Sequence, residues 1–413
     1  MKNFLNFYKE ATPEFKKNSL IIFLTYFLVL FSYPLVRSAS SAFFYEVYTA
    51  KEYSFATFIG IAALMLMIFI NNFIQNKIGV QKLYVFTGLL TILVFFFSYL
   101  GFKAGIKEFA IVLFATKEAY IVLLIHTCLA FSNAYYKLDE LKMMIGPIGA
   151  MGSLGGIIGG QLTSFLAKEF GTETVFYTSL VIILFTVFSF YLSKNVIIQG
   201  LEKSDEKLTP IRAIKGVRKY VFLIAAIVGL SQFVLYIAEF QFNIVFEQVV
   251  TLKDERTAYL GRFYSYVNIV SILLQFFVLP YLLLKVKTRT IFFAIPILYL
   301  MVILGGLSFG ASSLFVVGAV FVTFKGTDYS VFAVAKEVMY NPLMNLQKFG
   351  AKYITDMFVY RLSKALIAFV FALEFFKMNF MSMKILSSMQ FIFLTIWVIL
   401  VFILFKEQEK LNK

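Results

Sequence analysis

Charge, cysteine, histidine and tryptophan are all scarce in this chain of 413 residues. Charged side chains make up 15% of it, against roughly 25% in a soluble globular protein. The lone cysteine, Cys128, excludes an intramolecular disulfide. The lone histidine, His126 in LLIHTCLAF, excludes zinc sites of the familiar kinds, which need several His and Cys ligands. It is expected as a packed or hydrogen-bonded core residue. No GxxxxGK[ST] loop is present, so the chain does not carry its own ATP-hydrolysing module. GLSFG, Gly306 to Gly310, matches the nucleophile-elbow pattern in letters only, because that motif needs a strand–turn–helix setting and a histidine partner. An enzyme is not expected, nor a cofactor, nor a metal.

What the chain has is apolar bulk. Hydrophobic residues reach 60%, aromatics 19%, with 52 Phe and 24 Tyr, and the mean hydropathy is +0.83. Runs of about 20 apolar residues cross a bilayer as helices. Breaks at charges, Gly and Pro predict twelve spans, near 18–45, 52–76, 82–103, 116–138, 143–169, 173–192, 219–250, 256–284, 289–310, 312–338, 349–376 and 382–405. The expected fold is therefore an all-α integral membrane protein. The first run is too long for a signal-peptide core and lacks a small-residue cleavage site, so it is expected to remain as a span. In a soluble chain the net charge of +15 would suggest nucleic acid; here the bilayer gives the simpler account, and no nucleic-acid partner is expected. With the N-terminus inside, one set of loops holds 23 Lys and Arg, and the opposite set holds 9, Lys117, Lys253 and Arg256 among them. Both termini are thus expected in the cytoplasm, with a bacterial inner membrane as the setting and a monomer as the oligomeric state.

The longest polar stretch divides six spans from six. It implies an N-terminal half at 1–192, a basic linker at 193–218 and a C-terminal half at 219–413. A repeat supports the division: FYEVYTAKE from Phe44 aligns with FEQVVTLKD from Phe246 at an offset of 202, with Phe44/Phe246, Val47/Val249, Thr49/Thr251 and Lys51/Lys253 coinciding. Two six-span halves joined by a cytoplasmic linker resemble the plan of the major facilitator superfamily. The fifth span reads GPIGAMGSLGGIIGGQ, and its glycines four apart offer smooth faces for close helix packing.

Ionisable residues inside spans cost roughly 2.5–3.5 kcal/mol on insertion scales, so they are paired or line an aqueous path. Arg37 lies well inside the first span, and the repeat offset carries it onto Glu239 in the seventh, which makes the two expected partners. Lys325, Asp328 and Lys336 fall in the tenth span, and Asp356, Arg361 and Lys364 in the eleventh. Lys325 and Asp328, three apart, share a helical face. Basic side chains there suit an anion, and Arg grips phosphate or carboxylate oxygens bidentately. Lys137, Asp139, Glu140 and Lys142 read on periodicity alone as an ordinary loop.

The segment YSVFAVAKEVMYNPLMNLQKFGAKYITDMFVYRLSKA, Tyr329 to Ala365, resembles the plastid and obligate-intracellular-bacterial ATP/ADP translocases. Tyr329, Ser330, Lys336, Glu337, Tyr340, Pro342, Lys348, Gly350, Lys352, Asp356, Arg361 and Lys364 carry the likeness. FSNAYYKLDELKMMIGPIGAMG is similar to a second family segment through Asn133, Asp139, Glu140 and Lys142, and a third match places Glu239 on a family glutamate. The resemblance implies nucleotide exchange, with Glu140, Glu239 and Lys336 handling substrate, joined as substrate-binding candidates by Arg37, Asp356 and Arg361. The chain departs from the pattern near Ala56, where the family has a lysine, and in the first span. The expected function is secondary transport of an organic anion, a nucleotide first, by alternating access. An exporter of a lipid or other amphiphile and a non-transporting accessory protein are the alternatives.

Overall fold

The computed structural model describes residues 8, 11–193, 209–310, 313–376 and 382–411, and every regular element among them is helical. Residues 194–208, most of the expected linker, lie outside the described residues. The helices are α1 (Pro13–Val47), α2 (Tyr53–Ile78), α3 (Val80–Lys103), α4 (Glu108–Tyr135), α5 (Leu138–Phe170), α6 (Thr172–Tyr191), α7 (Arg218–Val249), α8 (Lys253–Lys285), α9 (Thr288–Phe309), α10 (Leu314–Met339), α11 (345–376) and α12 (Met383–Leu411). Eleven of them are long and apolar enough to cross a membrane among the described residues. The remaining one, α11, is as long but carries Lys348, Lys352, Asp356, Arg361 and Lys364.

Local chemistry explains the ends. Thr12 caps α1 by accepting the Phe15 N–H at 3.2 Å, and Pro13 follows at the first turn, where its missing donor costs nothing. Single glycines join α2 to α3 and α5 to α6: Gly79 and Gly171 have φ of 84° and 85°, the left-handed region in which a side chain would be strained. The repeat is visible in backbone geometry. α1 stops at Val47 and α7 at Val249, 202 residues on, and each end closes identically, Tyr48 N–H to Phe44 C=O and Val250 N–H to Phe246 C=O, both at 2.9 Å.

The helices gather into two compact units. The first comprises 1–48, 59–203 and 251–268; the second comprises 49–58, 204–250 and 269–413. In the first, α1 is central and packs on α4, α5 and α6 over a core that includes Ile22, Val29, Phe43, Tyr84, Phe95 and Phe176. The α5 glycines do bring backbones together: a Cβ at Gly155 would meet the Phe27 carbonyl oxygen, and one at Gly159 that of Phe31. Gly156 and Gly160, on another face, approach Asn268 and Gly261 of α8. In the second unit α7 is central, packed by α10, α11 and α12, with Trp397, Tyr299 and Phe324 among the buried rings.

Two expectations are corrected. Lys117, expected in a loop, lies in α4 with 1% exposure, because Glu118 pairs with it at 3.2 Å and its ammonium sits 3.7 Å from the Phe114 ring centre. His126, expected in the core, is exposed on α4 beside the buried Thr127 and Cys128.

Candidate functional site

Within the second unit, charged side chains of three helices, α7, α10 and α11, form two clusters. Glu239 lies on α7, the most thoroughly buried span, and its own side chain is 2% exposed. A carboxylate survives such burial only with hydrogen-bonding partners. The Tyr53 hydroxyl donates to Glu239 Oε1 at 2.8 Å, and Lys364 Nζ of α11 lies 3.4 Å from Oε2. One turn earlier on α7, Tyr236 donates to Ser54 at 2.9 Å, and Phe371 packs edge-on against Tyr236 and Phe240. Tyr53 and Ser54 stand at the start of α2, in the short segment that belongs to this unit.

The second cluster joins α10 to α11. Lys336 Nζ lies 2.7 Å from Asp356 Oδ1, with side-chain exposures of 14% and 26%. The Tyr340 hydroxyl donates to the same carboxylate at 3.1 Å, and the Thr355 hydroxyl lies 3.1 Å from it and against the Tyr340 hydroxyl. Burial pushes the Tyr340 phenol well above the usual tyrosine range, so it stays protonated as a donor. Tyr220 of α7 fixes the end of α10 by donating to the Met339 carbonyl at 2.7 Å. Nearer the surface, Lys352 and Glu337 pair at 2.5 Å.

Both charged helices are locally widened. Residues Asp328–Phe332 of α10 and Tyr353–Val359 of α11 form π-helical turns, which open the regular ladder and are frequent at functional sites. The first widened turn begins at Asp328, which is buried with Lys325; the fields of Lys325 and Lys336 reach its carboxylate. The second holds Thr355 and Asp356. Arg361, just after it, donates to the Met357 carbonyl at 3.0 Å.

Arg37 belongs to the first unit, 7% exposed, its guanidinium 3.7 Å from the centre of the Tyr264 ring and 5.6 Å from that of Tyr33. These are cation–π distances. Glu140 accepts the Lys137 N–H at 2.8 Å and so caps the start of α5. Of the six sequence candidates, the structure joins Lys336 to Asp356 directly and gives Glu239 a lysine from the same helix as Asp356. Tyr53, Thr355 and Tyr264 were not singled out from sequence; uncharged side chains among 24 tyrosines leave no signal there. Among the described residues no group of His, Cys, Asp and Glu is placed to hold a metal.

Residues 20–336 match the sequence model of the Major Facilitator Superfamily. No curated protein matches the chain. Solved structures of similar fold include the nucleoside transporter NupG, with a TM-score of 0.67 at 14% identity over 94% of this chain and 99% of that one. The D-xylose–proton symporter gives 0.65 at 10% identity over 95% and 97%. A bacterial homologue of the iron transporter ferroportin, in an inward-facing state, gives 0.64 at 13% identity over 96% and 99%. At these identities the likeness is one of fold.

Proposed function

The chain belongs to the major facilitator superfamily and is a multi-pass integral membrane protein with a transporter fold, and on that premise we propose that it exchanges nucleotides of the ATP/ADP type by alternating access. The observation that carries this reading is the set of lysine–carboxylate partnerships on α7, α10 and α11. Lys336 with Asp356 and Lys364 with Glu239 lie inside or directly opposite the segment that resembles the ATP/ADP translocases. Charges at such depth are costly and mark substrate or ion paths. An ammonium among hydroxyls suits the oxygens of a phosphate. Arg37, Glu140 and Arg361 complete the proposed substrate-handling set. The proposal includes a half on each side of the linker 193–218, both termini on the cytoplasmic face, a bacterial inner membrane and a monomeric carrier.

The test is uptake into proteoliposomes preloaded with unlabelled ATP or ADP, against a panel of labelled nucleotides, nucleosides and dicarboxylates. Nucleotide uptake that depends on preloading is the expected result. Exchange of a non-nucleotide in the panel with no nucleotide exchange would overturn the reading.

A further inference from the structure

Lys336 is already occupied. Its ammonium meets a carboxylate oxygen of Asp356 at 2.7 Å, and that same oxygen lies 3.1 Å from both the Tyr340 and the Thr355 hydroxyl. The Lys336 ammonium and the Tyr340 hydroxyl, with Thr355 beside them donating to the Ala351 carbonyl at 2.9 Å, present to a single anionic oxygen a donor set that a terminal phosphoryl oxygen would take. Asp356 is the more open member of the pair, at 26% against 14%. It is carried on the π-helical turn Tyr353–Val359, where the regular helical ladder is interrupted, a feature frequent at functional sites. Lys336, by contrast, stands on α10 just before its end, which Tyr220 secures through the Met339 carbonyl. The cation is held and the anion is the side that can leave.

We propose that Asp356 is a built-in stand-in for the substrate's terminal phosphoryl group, which it mimics in the empty carrier and which displaces it from Lys336 on binding. The inference rests on the anion-transport reading above and deepens it in two ways. It names the part of the substrate recognised at this point, a phosphoryl group rather than a base or sugar. It also gives the empty carrier a neutralised site, so that an unpaired ammonium need not be desolvated when no substrate is present. The neighbouring pair Lys352–Glu337 lacks this character, because both side chains are about half exposed, at 45% and 49%.

The test uses the full-length carrier in nanodiscs with inorganic pyrophosphate as the probe, its binding measured by calorimetry. Asp356→Asn, which keeps the shape and removes the competitor, is expected to bind pyrophosphate roughly tenfold tighter than the parent, while Lys336→Gln binds it more weakly. The double variant Lys336→Gln/Asp356→Asn should match Lys336→Gln alone, since the effect of Asp356 passes through the lysine. It is also the variant that leaves neither charge of the pair without the other if a single change harms folding. Glu337→Gln removes the same charge nearby and should leave affinity within about twofold of the parent. Unchanged or weaker binding by Asp356→Asn, or equal tightening by Glu337→Gln, overturns the inference. Nucleotide exchange in proteoliposomes is scored separately. Tightened pyrophosphate binding without nucleotide exchange sinks the nucleotide reading alone, and exchange without tightening sinks the stand-in alone.

Discussion

Glu239 holds a carboxylate at 2% exposure with a lysine at 3.4 Å and a tyrosine hydroxyl at 2.8 Å. Removing the lysine takes a paired cation from a buried carboxylate, a loss of about 3–5 kcal/mol; removing only the phenol oxygen costs about 1–3 kcal/mol. Lys364→Ala should therefore lower the unfolding midpoint in nanodiscs well below that of Tyr53→Phe. Glu239→Gln combined with Lys364→Gln should recover part of what Lys364→Ala loses, and a double variant no better than the single would show that the two charges are not coupled. Lys336→Gln should insert normally and run as a single species in gel filtration yet weaken nucleotide binding; an unchanged dissociation constant would remove Lys336 from the site. The positions of these charges are legible in sequence because each one interrupts an apolar run. Their partners are not. Tyr53 and Lys364, which both reach Glu239, lie 186 residues upstream and 125 downstream of it, separations that no helical period spans.

Helix α5 shows how an element can carry a packing instruction that sequence states only in outline. The glycines spaced four apart announce close approach, yet their partners differ by face, the α1 backbone for Gly155 and Gly159 and α8 for Gly156 and Gly160. A methyl at Gly159 would meet a carbonyl oxygen that cannot rotate away, so Gly159→Ala should cost about 1–3 kcal/mol. Gly146 and Gly149 face open space, and alanine there should be neutral or slightly stabilising, given the helix preference of alanine over glycine. Thermal unfolding of the three variants in one detergent checks the ordering; equal midpoints would mean that α5 can shift to relieve the clash. Element existence was readable throughout from apolar length, and the shared ends of α1 and α7 from the repeat. The boundary of α4 was not, because Lys117 looks like a loop residue until Glu118 and the Phe114 ring are seen around it. The π-helical turns of α10 and α11 have no marker in residue type at all.

For the molecule as a whole, the proposed exchange leads to one expectation: uptake requires a counter-substrate or an ion gradient. Robust uptake into empty vesicles with all gradients collapsed, or accumulation driven by added ATP hydrolysis, would contradict it. Twelve spans could be counted from hydropathy, but the composition of each compact unit could not. Residues 49–58 join the second unit and residues 251–268 the first. These segments begin at Thr49 and Thr251, positions the repeat equates, so a ten-residue stretch and its copy change allegiance together. In the first unit the borrowed segment supplies Asp254, which accepts from the Thr172 N–H and hydroxyl at 2.7 Å, and Arg256, which donates to the Tyr45 carbonyl at 2.7 Å. A ribosome that has made residue 203 must add 53 more before both of those groups exist, and 65 before Asn268 completes the segment. At roughly 5–20 residues per second that is roughly 3–13 s, during which the nascent first unit waits in the bilayer with the start of α6 uncapped and the Gly156–Gly160 face of α5 uncovered.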